Sequence, residues 1–325
     1  MECFKETGGR IVYFIGIDGG GTKTDFLLAD NNGNTVKEMT TGTISYKQIG
    51  MDKSIELLHN TILEMTDGVV DKEGMSISDV SICIAMPAFG ESKTCDKEFL
   101  NRISEVSPYP TVVVNDCVAG WAGSLNMKAG INIVCGTGSI AYGRNDSEDE
   151  VRVGGWDENF SDEGSGFYLG MKAFQLFSKE SDGRKEKGPL FDIFREEFGL
   201  KDDIDVIDVF QNKFYNDRTK TAGVQKLLLK AALLGDKEAV KLYEIAAEEL
   251  SEIVIAAYRR LGFTGEALVS YSGGIFKSGD LILKPFKERL REYNIQLVKP
   301  VKSPKEGAVL IAQSKYKKVS RTQKS

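Results

Sequence analysis

The sequence predicts an α/β protein made of two related lobes. Three observations predict it. Short apolar runs bounded by glycines and polar turns alternate with stretches of helical periodicity. The order strand, glycine turn, strand, polar turn, strand occurs once in each half. No low-complexity linker separates the halves, so they are expected to pack together with a cleft between them.

The elements follow in order. Residues 13–17 are an apolar run, and glycines follow. Residues 24–30 form a second strand, the Asn31, Asn32, Gly33 and Asn34 cluster a turn, and residues 35–39 a third strand. A helix is predicted over 52–65, a buried strand over 80–85, a helix over 95–106 and another buried strand over 111–114. The second half opens alike, with an apolar run at 131–135, a glycine turn at 136–139, a strand at 140–144, a polar turn at 145–150 and extended structure at 151–153. Helical periodicity dominates from Asp162 to about Phe263, most clearly over 224–234 and 237–261. Residues 267–271 are one more buried strand, ending in Ser272, Gly273 and Gly274. A late strand is predicted at 295–298 and a last helix over 305–315.

The 325 residues suffice for about two domains, with the lobes expected at 1–116 and 117–325 and the last helix free to return to the first. Hydrophobic residues are 41% and charged residues 28% of the chain, a globular rather than a disordered balance. The net charge of −6, with no basic face, argues against nucleic acid as a partner. Lys315, Lys317, Lys318, Arg321 and Lys324 form a basic tail that reads as a solvated, frayed terminus. No apolar run approaches the roughly 20 residues that cross a bilayer. The segment Met1 to Arg10 carries charges and glycines where a signal peptide is apolar, so a cytoplasmic location and no membrane are expected.

Cys3, Cys83, Cys95, Cys117 and Cys135 are odd in number and show no CxxC spacing, which indicates neither a disulfide framework nor a zinc site. Cys83 and Cys135 sit in apolar runs and read as buried thiols. The sole histidine, His59, lies in an amphipathic helical pattern and reads as a surface or half-buried helix residue.

Chemistry concentrates in the glycine turns. Asp18, Gly19, Gly20, Gly21, Thr22, Lys23 and Thr24 follow the first strand, where glycines let backbone N–H groups face an anion. A Rossmann fingerprint starting at Gly16 needs glycine where Asp18 stands, and a Walker A loop needs lysine where Thr22 stands. Both motifs also lead into a helix, whereas this turn leads into a strand. It is read as a hairpin phosphate loop. Asp18 beside phosphates makes sense if Mg²⁺ lies between, held through water. Gly136, Thr137, Gly138 and Ser139 form the counterpart turn. Gly273 and Gly274, after a buried strand, let a flat adenine or ribose approach the backbone.

These turns, with Pro87 to Glu91, Asn115, Asp116, Gly154 to Trp156, Asp162 to Gly166 and Glu306 to Ala308, resemble the ordered motifs of the actin/hexokinase/Hsp70 ATPase superfamily. More narrowly the chain resembles the BadF/BadG/BcrA/BcrD ATPase family, which includes N-acetylglucosamine kinases. The resemblance runs from residue 16 to 308. It implies two ribonuclease H-like, actin-like ATPase lobes with an interlobe cleft, and a helical elaboration in the second lobe. It implies ATP and Mg²⁺, with Asp18 on the metal side. Gly20, Gly21, Thr22, Lys23, Gly136, Thr137, Gly138, Ser139, Gly273 and Gly274 would bind the nucleotide.

By the same resemblance Asp116 is the catalytic base of a kinase that phosphorylates an amino sugar, N-acetylglucosamine or glucosamine, at the 6-OH. Ser45, Asn115, Asp116, Gly155, Trp156 and Asp162 would contact the sugar. Without the resemblance Asp116 also reads as a helix N-cap, Trp156 as a core side chain and Asp162 as a helix cap. The segment from Gly42 to Tyr46 lacks the asparagine usual near the sugar in such kinases, which leaves the exact sugar open. A homodimer is implied by the family alone. Two alternatives stand beside the kinase: an ATPase activator of a dehydratase or reductase carrying an iron–sulfur cluster, and a non-enzymatic sugar sensor.

Overall fold

The computed structural model describes residues 12–69 and 79–322, with side chains as far as 317. Cys3, the Met1 to Arg10 segment, Lys324 and the side chains of Lys318 and Arg321 lie outside the described residues. The chain divides into two units: residues 1–127 with 301–325, and residues 128–300.

The first unit begins with β1 (Tyr13–Gly19), β2 (Lys23–Ala29) and β3 (Thr35–Gly42), an antiparallel meander. The short helix α1 (Tyr46–Ile49) and α2 (Met51–Thr66) lead to β4 (Val80–Met86), and α3 (Lys93–Val106) leads to β5 (Thr111–Asn115). α4 (Asp116–Ser124) follows directly. The sheet order is β3-β2-β1-β4-β5, with β1, β4 and β5 parallel. β1 is apolar on both faces because both are covered. Ile15 and Ile17 pack with Leu58 and Ile62 of α2 and Phe99 and Ile103 of α3.

In the second unit β6 (Gly130–Cys135), β7 (Ser139–Arg144) and β8 (Glu150–Gly154) repeat the meander. A helical run follows: α5 (Gly166–Ser181), α6 (Pro189–Phe198), α7 (Val206–Lys213), α8 (Arg218–Gly223), α9 (Gln225–Leu233) and α10 (Lys237–Arg260). β9 (Ala267–Ser272), α11 (Asp280–Arg291) and β10 (Ile295–Leu297) complete the sheet in the order β10-β9-β6-β7-β8. Read from its other edge, β8-β7-β6-β9-β10, that is the first sheet's order with its antiparallel and parallel pairs in the same places, so the duplication read in the sequence is a duplication of topology. The helical run holds an aromatic centre at Phe174, whose ring lies 5.0–6.0 Å from those of Phe194, Phe198, Phe210 and Phe214.

α12 (Pro304–Thr322) belongs to the first unit. It runs past the predicted end at 315 because helix-forming lysines and an arginine continue beyond it, at Lys317, Lys318 and Arg321. Lys315 and Lys317 are thus exposed helical residues rather than a frayed tail. Ser303 and Glu306 cap its start: the Glu306 carboxylate accepts the Ser303 N–H at 2.8 Å and its hydroxyl at 2.7 Å. The unit boundary falls after α4, not before it, because α4 packs on α12 and on β4. His59 is half-buried, with Nδ1 2.9 Å from the Val106 carbonyl. Among the described residues no helix is long and apolar enough to cross a membrane.

Two buried features of these units give measurable expectations. Gly307 of α12 lies on the Ala119 carbonyl and the Gly123 N–H of α4, with no room for a Cβ. Gly307→Ala should therefore lower stability by about 1–3 kcal/mol, read as a drop of several degrees in thermal unfolding. Glu180 of α5 is 1% exposed. One of its oxygens accepts the Gly188 N–H at 3.1 Å and the other has no hydrogen-bond partner. Burial first, then the charges of Asp236, Glu238 and Asp192, push its pKa up to about 7. The folded protein thus binds this proton more tightly than the unfolded chain, so stability is full below pH 4.5 and falls as pH rises through 7. Glu180→Gln should stabilise the protein at pH 8 by on the order of 2 kcal/mol and give no gain at pH 4.5. Urea unfolding at the two pH values measures it.

Candidate functional site

In the first unit the ends of β1, β4 and β5 share one edge of the sheet. Asp18 is in register with Ala85, Ala85 with Val114, and Met86 with Asn115. Asp18 and Asp116 thus lie at the same sheet end two strands apart, roughly 10 Å at ordinary strand spacing. Ligands of α/β sheets bind at this carboxyl end.

The first glycine turn closes through Gly20 N–H on Lys23 O at 2.9 Å. The Gly21 and Thr22 N–H groups find no acceptor among the described residues. Thr43 Oγ1 donates to Gly20 O at 2.7 Å, and Thr24 Oγ1 accepts the Ile44 N–H at 3.2 Å. The segment carrying Ser45 is thereby tied to the turn, and Ser45 is buried at the N-cap of α1. Lys23 Nζ lies 2.6 Å from Asp25, which also accepts the Thr40 hydroxyl at 2.7 Å. Burial and, next, the Asp25 charge push the Asp18 pKa up to about 6, against the pull of Lys23 and Lys305.

Asn115, not Asp116, caps α4. Its Oδ1 accepts the Cys117 N–H at 3.1 Å, and its Nδ2 donates to Phe89 O at 2.7 Å. That bond fixes the turn after β4, which Asp96 also holds by accepting the Gly90 N–H at 3.0 Å and the Tyr46 hydroxyl at 2.8 Å. Asp116 is the first residue of the helix, half-buried, with Oδ1 accepting the Cys117 N–H at 2.9 Å.

In the second unit the 136–139 turn is gripped from two sides. The first N–H groups of α5 donate to it, Gly166 to Gly136 O at 2.8 Å and Phe167 to Thr137 O at 3.1 Å. Ser139 N–H goes to Asp162 Oδ1 at 3.0 Å, and Ser139 Oγ donates to Glu163 O at 2.7 Å. Gly136 N–H turns onto Gly138 O at 2.9 Å. The N–H groups of Thr137 and Gly138 have no acceptor among the described residues. Gly273, at φ +107°, lies against the Cys135 backbone, so the strand-end turns of β6 and β9 are neighbours. Gly136 and Gly274 face open space where a Cβ would meet nothing within 4 Å.

Asp162 is 2% exposed and sits at φ +64°, with Oδ2 paired to Arg218 of α8. Nothing in the sequence announced Arg218: it lies 56 residues from Asp162, on a helix without a motif. Trp156 is 79% exposed, which removes its reading as a core side chain; the buried tryptophan is Trp121. Its neighbour Gly155 packs on Ile140. Cys83, Cys117 and Cys135 are buried, and burial pushes the Cys83 and Cys135 thiols well up.

Repeated sheets with glycine turns at their strand ends define an ATPase of two actin-like lobes. Residues 15–312 match the BadF/BadG/BcrA/BcrD ATPase family, and the chain belongs to it. It is 29% identical over 93% of its length to the N-acetylmuramic acid/N-acetylglucosamine kinase of Clostridium acetobutylicum, covering 98% of that protein. It is 27% identical to the N-acetyl-D-glucosamine kinase of Dictyostelium discoideum, over 92% of this chain and 97% of that one. A crystal structure from Chromobacterium violaceum, assigned as an N-acetylglucosamine kinase, superposes with a TM-score of 0.71 at 25% identity, covering 93% of this chain and 99% of that one.

The open space at Gly136 separates its role from that of Gly138, which is packed against Asp162. Gly136→Val should leave the thermal unfolding midpoint within about 2 °C of the parent. It should weaken AMP-PNP binding about tenfold or more, measured by titration calorimetry.

Proposed function

We propose that this chain transfers the γ-phosphate of ATP to the 6-OH of an amino sugar, N-acetylglucosamine or glucosamine. What carries the proposal is the placement of Asp116 at the end of the first sheet that also bears Asp18 and the first glycine turn. The sugar kinases among its relatives support the acceptor class. Asp116 accepts the hydroxyl proton as the sugar oxygen attacks the γ-phosphorus. The bond from that phosphorus to the bridging oxygen breaks, and ADP leaves.

The free N–H groups of Gly21, Thr22, Thr137 and Gly138 donate to phosphate oxygens, and Lys23 and Ser139 support the turns. Gly20 contributes backbone to the first turn, and Gly273 and Gly274 give the nucleoside a close approach to the β9 end. Asp18 fits a divalent cation, since a positive charge relieves a carboxylate that burial and Asp25 disfavour. Among the described residues no cluster of His, Cys, Asp or Glu makes a full cage. Mg²⁺ would be held by Asp18 through water and by the phosphates, whose charge it would offset.

On the sugar side Trp156 offers an exposed ring to the apolar face of the pyranose. Asn115, Ser45 and Gly155 supply polar contacts. Asp162 keeps Ser139 in place, and a carboxylate retains further lone pairs for hydroxyls. The enzyme works in the cytoplasm as a homodimer. Asp116→Asn should lower kcat by about 10²–10⁴ in an ADP-release assay over amino and neutral sugars. AMP-PNP affinity should stay within about threefold. Near-normal turnover in that variant overturns the assignment.

A further inference from the structure

We infer that Arg218 of α8 is a positioning residue for nucleotide binding, acting through Asp162 on the second glycine turn. The inference rests on the assignment of that turn to the phosphates. Four contacts carry it. Arg218 Nη2 donates to Asp162 Oδ2, and Arg218 Nε lies 3.6 Å from Glu158. The other Asp162 oxygen takes the Ser139 N–H at 3.0 Å. Gly138 lies directly against this pair: a Cβ there would meet the Arg218 guanidinium, and the Asp162 carboxylate at 2.7 Å.

The pairing has work to do that packing alone does not. Asp162 is buried in a left-handed backbone conformation uncommon for a non-glycine residue. A charge-assisted bond to a planar guanidinium fixes the carboxylate plane, and thereby where Ser139 N–H points. With Ser139 drawn to Asp162 and the Gly136 and Thr137 carbonyls drawn to α5, the Thr137 and Gly138 N–H groups are left for the ligand. Arg218 can serve as a fixed post because α8 is seated on α5. Gly170 of α5 lies against the Thr221 carbonyl, where no Cβ fits. The Asp217 side chain caps α8 on the Lys220 N–H at 2.9 Å. The Arg218 side chain is 41% exposed, so losing it leaves Asp162 rather than α8 without a partner.

The test is a double-substitution cycle read by AMP-PNP binding in calorimetry, with thermal unfolding as a fold control. Arg218→Met, which keeps the stem and removes every donor, should raise the dissociation constant tenfold or more. Arg218→Lys, which restores one donor to Asp162, should recover part of the loss. In an Asp162→Asn background, Arg218→Met should cost less than about twofold further, because the link it serves is already cut. Equal losses in both backgrounds mean that Arg218 meets the nucleotide directly and overturn the inference. So does an unchanged dissociation constant in Arg218→Met when the parent protein binds AMP-PNP. A parent protein that does not bind AMP-PNP overturns the phosphate assignment itself and the inference with it. Should Arg218→Met fail to fold, Arg218→Lys against the parent decides: an unchanged dissociation constant and no dependence on Asp162→Asn reject the link.

Discussion

A turn that is to hold an anion must leave some of its own N–H groups unsatisfied, and this constraint organises both units. An unmet buried donor is costly, so such a turn collapses onto itself unless other bonds hold it open. In the first unit the tether is Thr43 on the Gly20 carbonyl, with Thr24 holding Ile44. In the second it is the start of α5 on two carbonyls, together with Asp162 on Ser139. The donors that remain lie at the loop tips, where solvent reaches them.

The two units solve the same problem with the same sheet and different accessories. Both place the turn between the first two strands of a meander, beside parallel strands whose carboxyl ends face the same way. The difference follows from what leaves the third strand. After β3 the chain needs only a few residues to reach α1, so hydroxyls on that short segment can reach back to the turn. After β8 it runs through glycines at positive φ, at 154 and 155, before α5 begins at 166. That longer path brings a carboxylate and a helix N-terminus to the turn instead.

Much of this was legible in the sequence, because strands and glycine turns are local signals. The meanders and both turns follow from short apolar runs bounded by glycines and polar turn residues. Asp116 was legible as a chemical group but not as a helix position, since α4 carries two glycines, two alanines and little periodicity. The cap falls on Asn115, whose Oδ1 takes the Cys117 N–H while its amide group donates to the Phe89 carbonyl. The Asp162–Arg218 link and the clasp of Asp96 on Tyr46 and Gly90 were not legible. They join residues far apart in the chain through single hydrogen bonds, which leave no periodic trace.

The last helix shows how a distant segment can still be dictated by small residues. α12 touches β1 at Gly16, where the Val309 N–H would lie 2.7 Å from a Cβ, and touches α4 at Gly123 and Gly307. Glycines on both sides of these contacts let backbone approach backbone, which no larger pair of residues permits. The Phe14 ring then meets Tyr316 at 5.8 Å, on the face of β1 that Gly16 and Asp18 share. α12 therefore covers the side of β1 on which Asp18 lies, and Lys305 from its first turn bears on that carboxylate. A chain end of more than a dozen residues is held against the first sheet by the absence of side chains, and the electrostatics of Asp18 depend on that closeness.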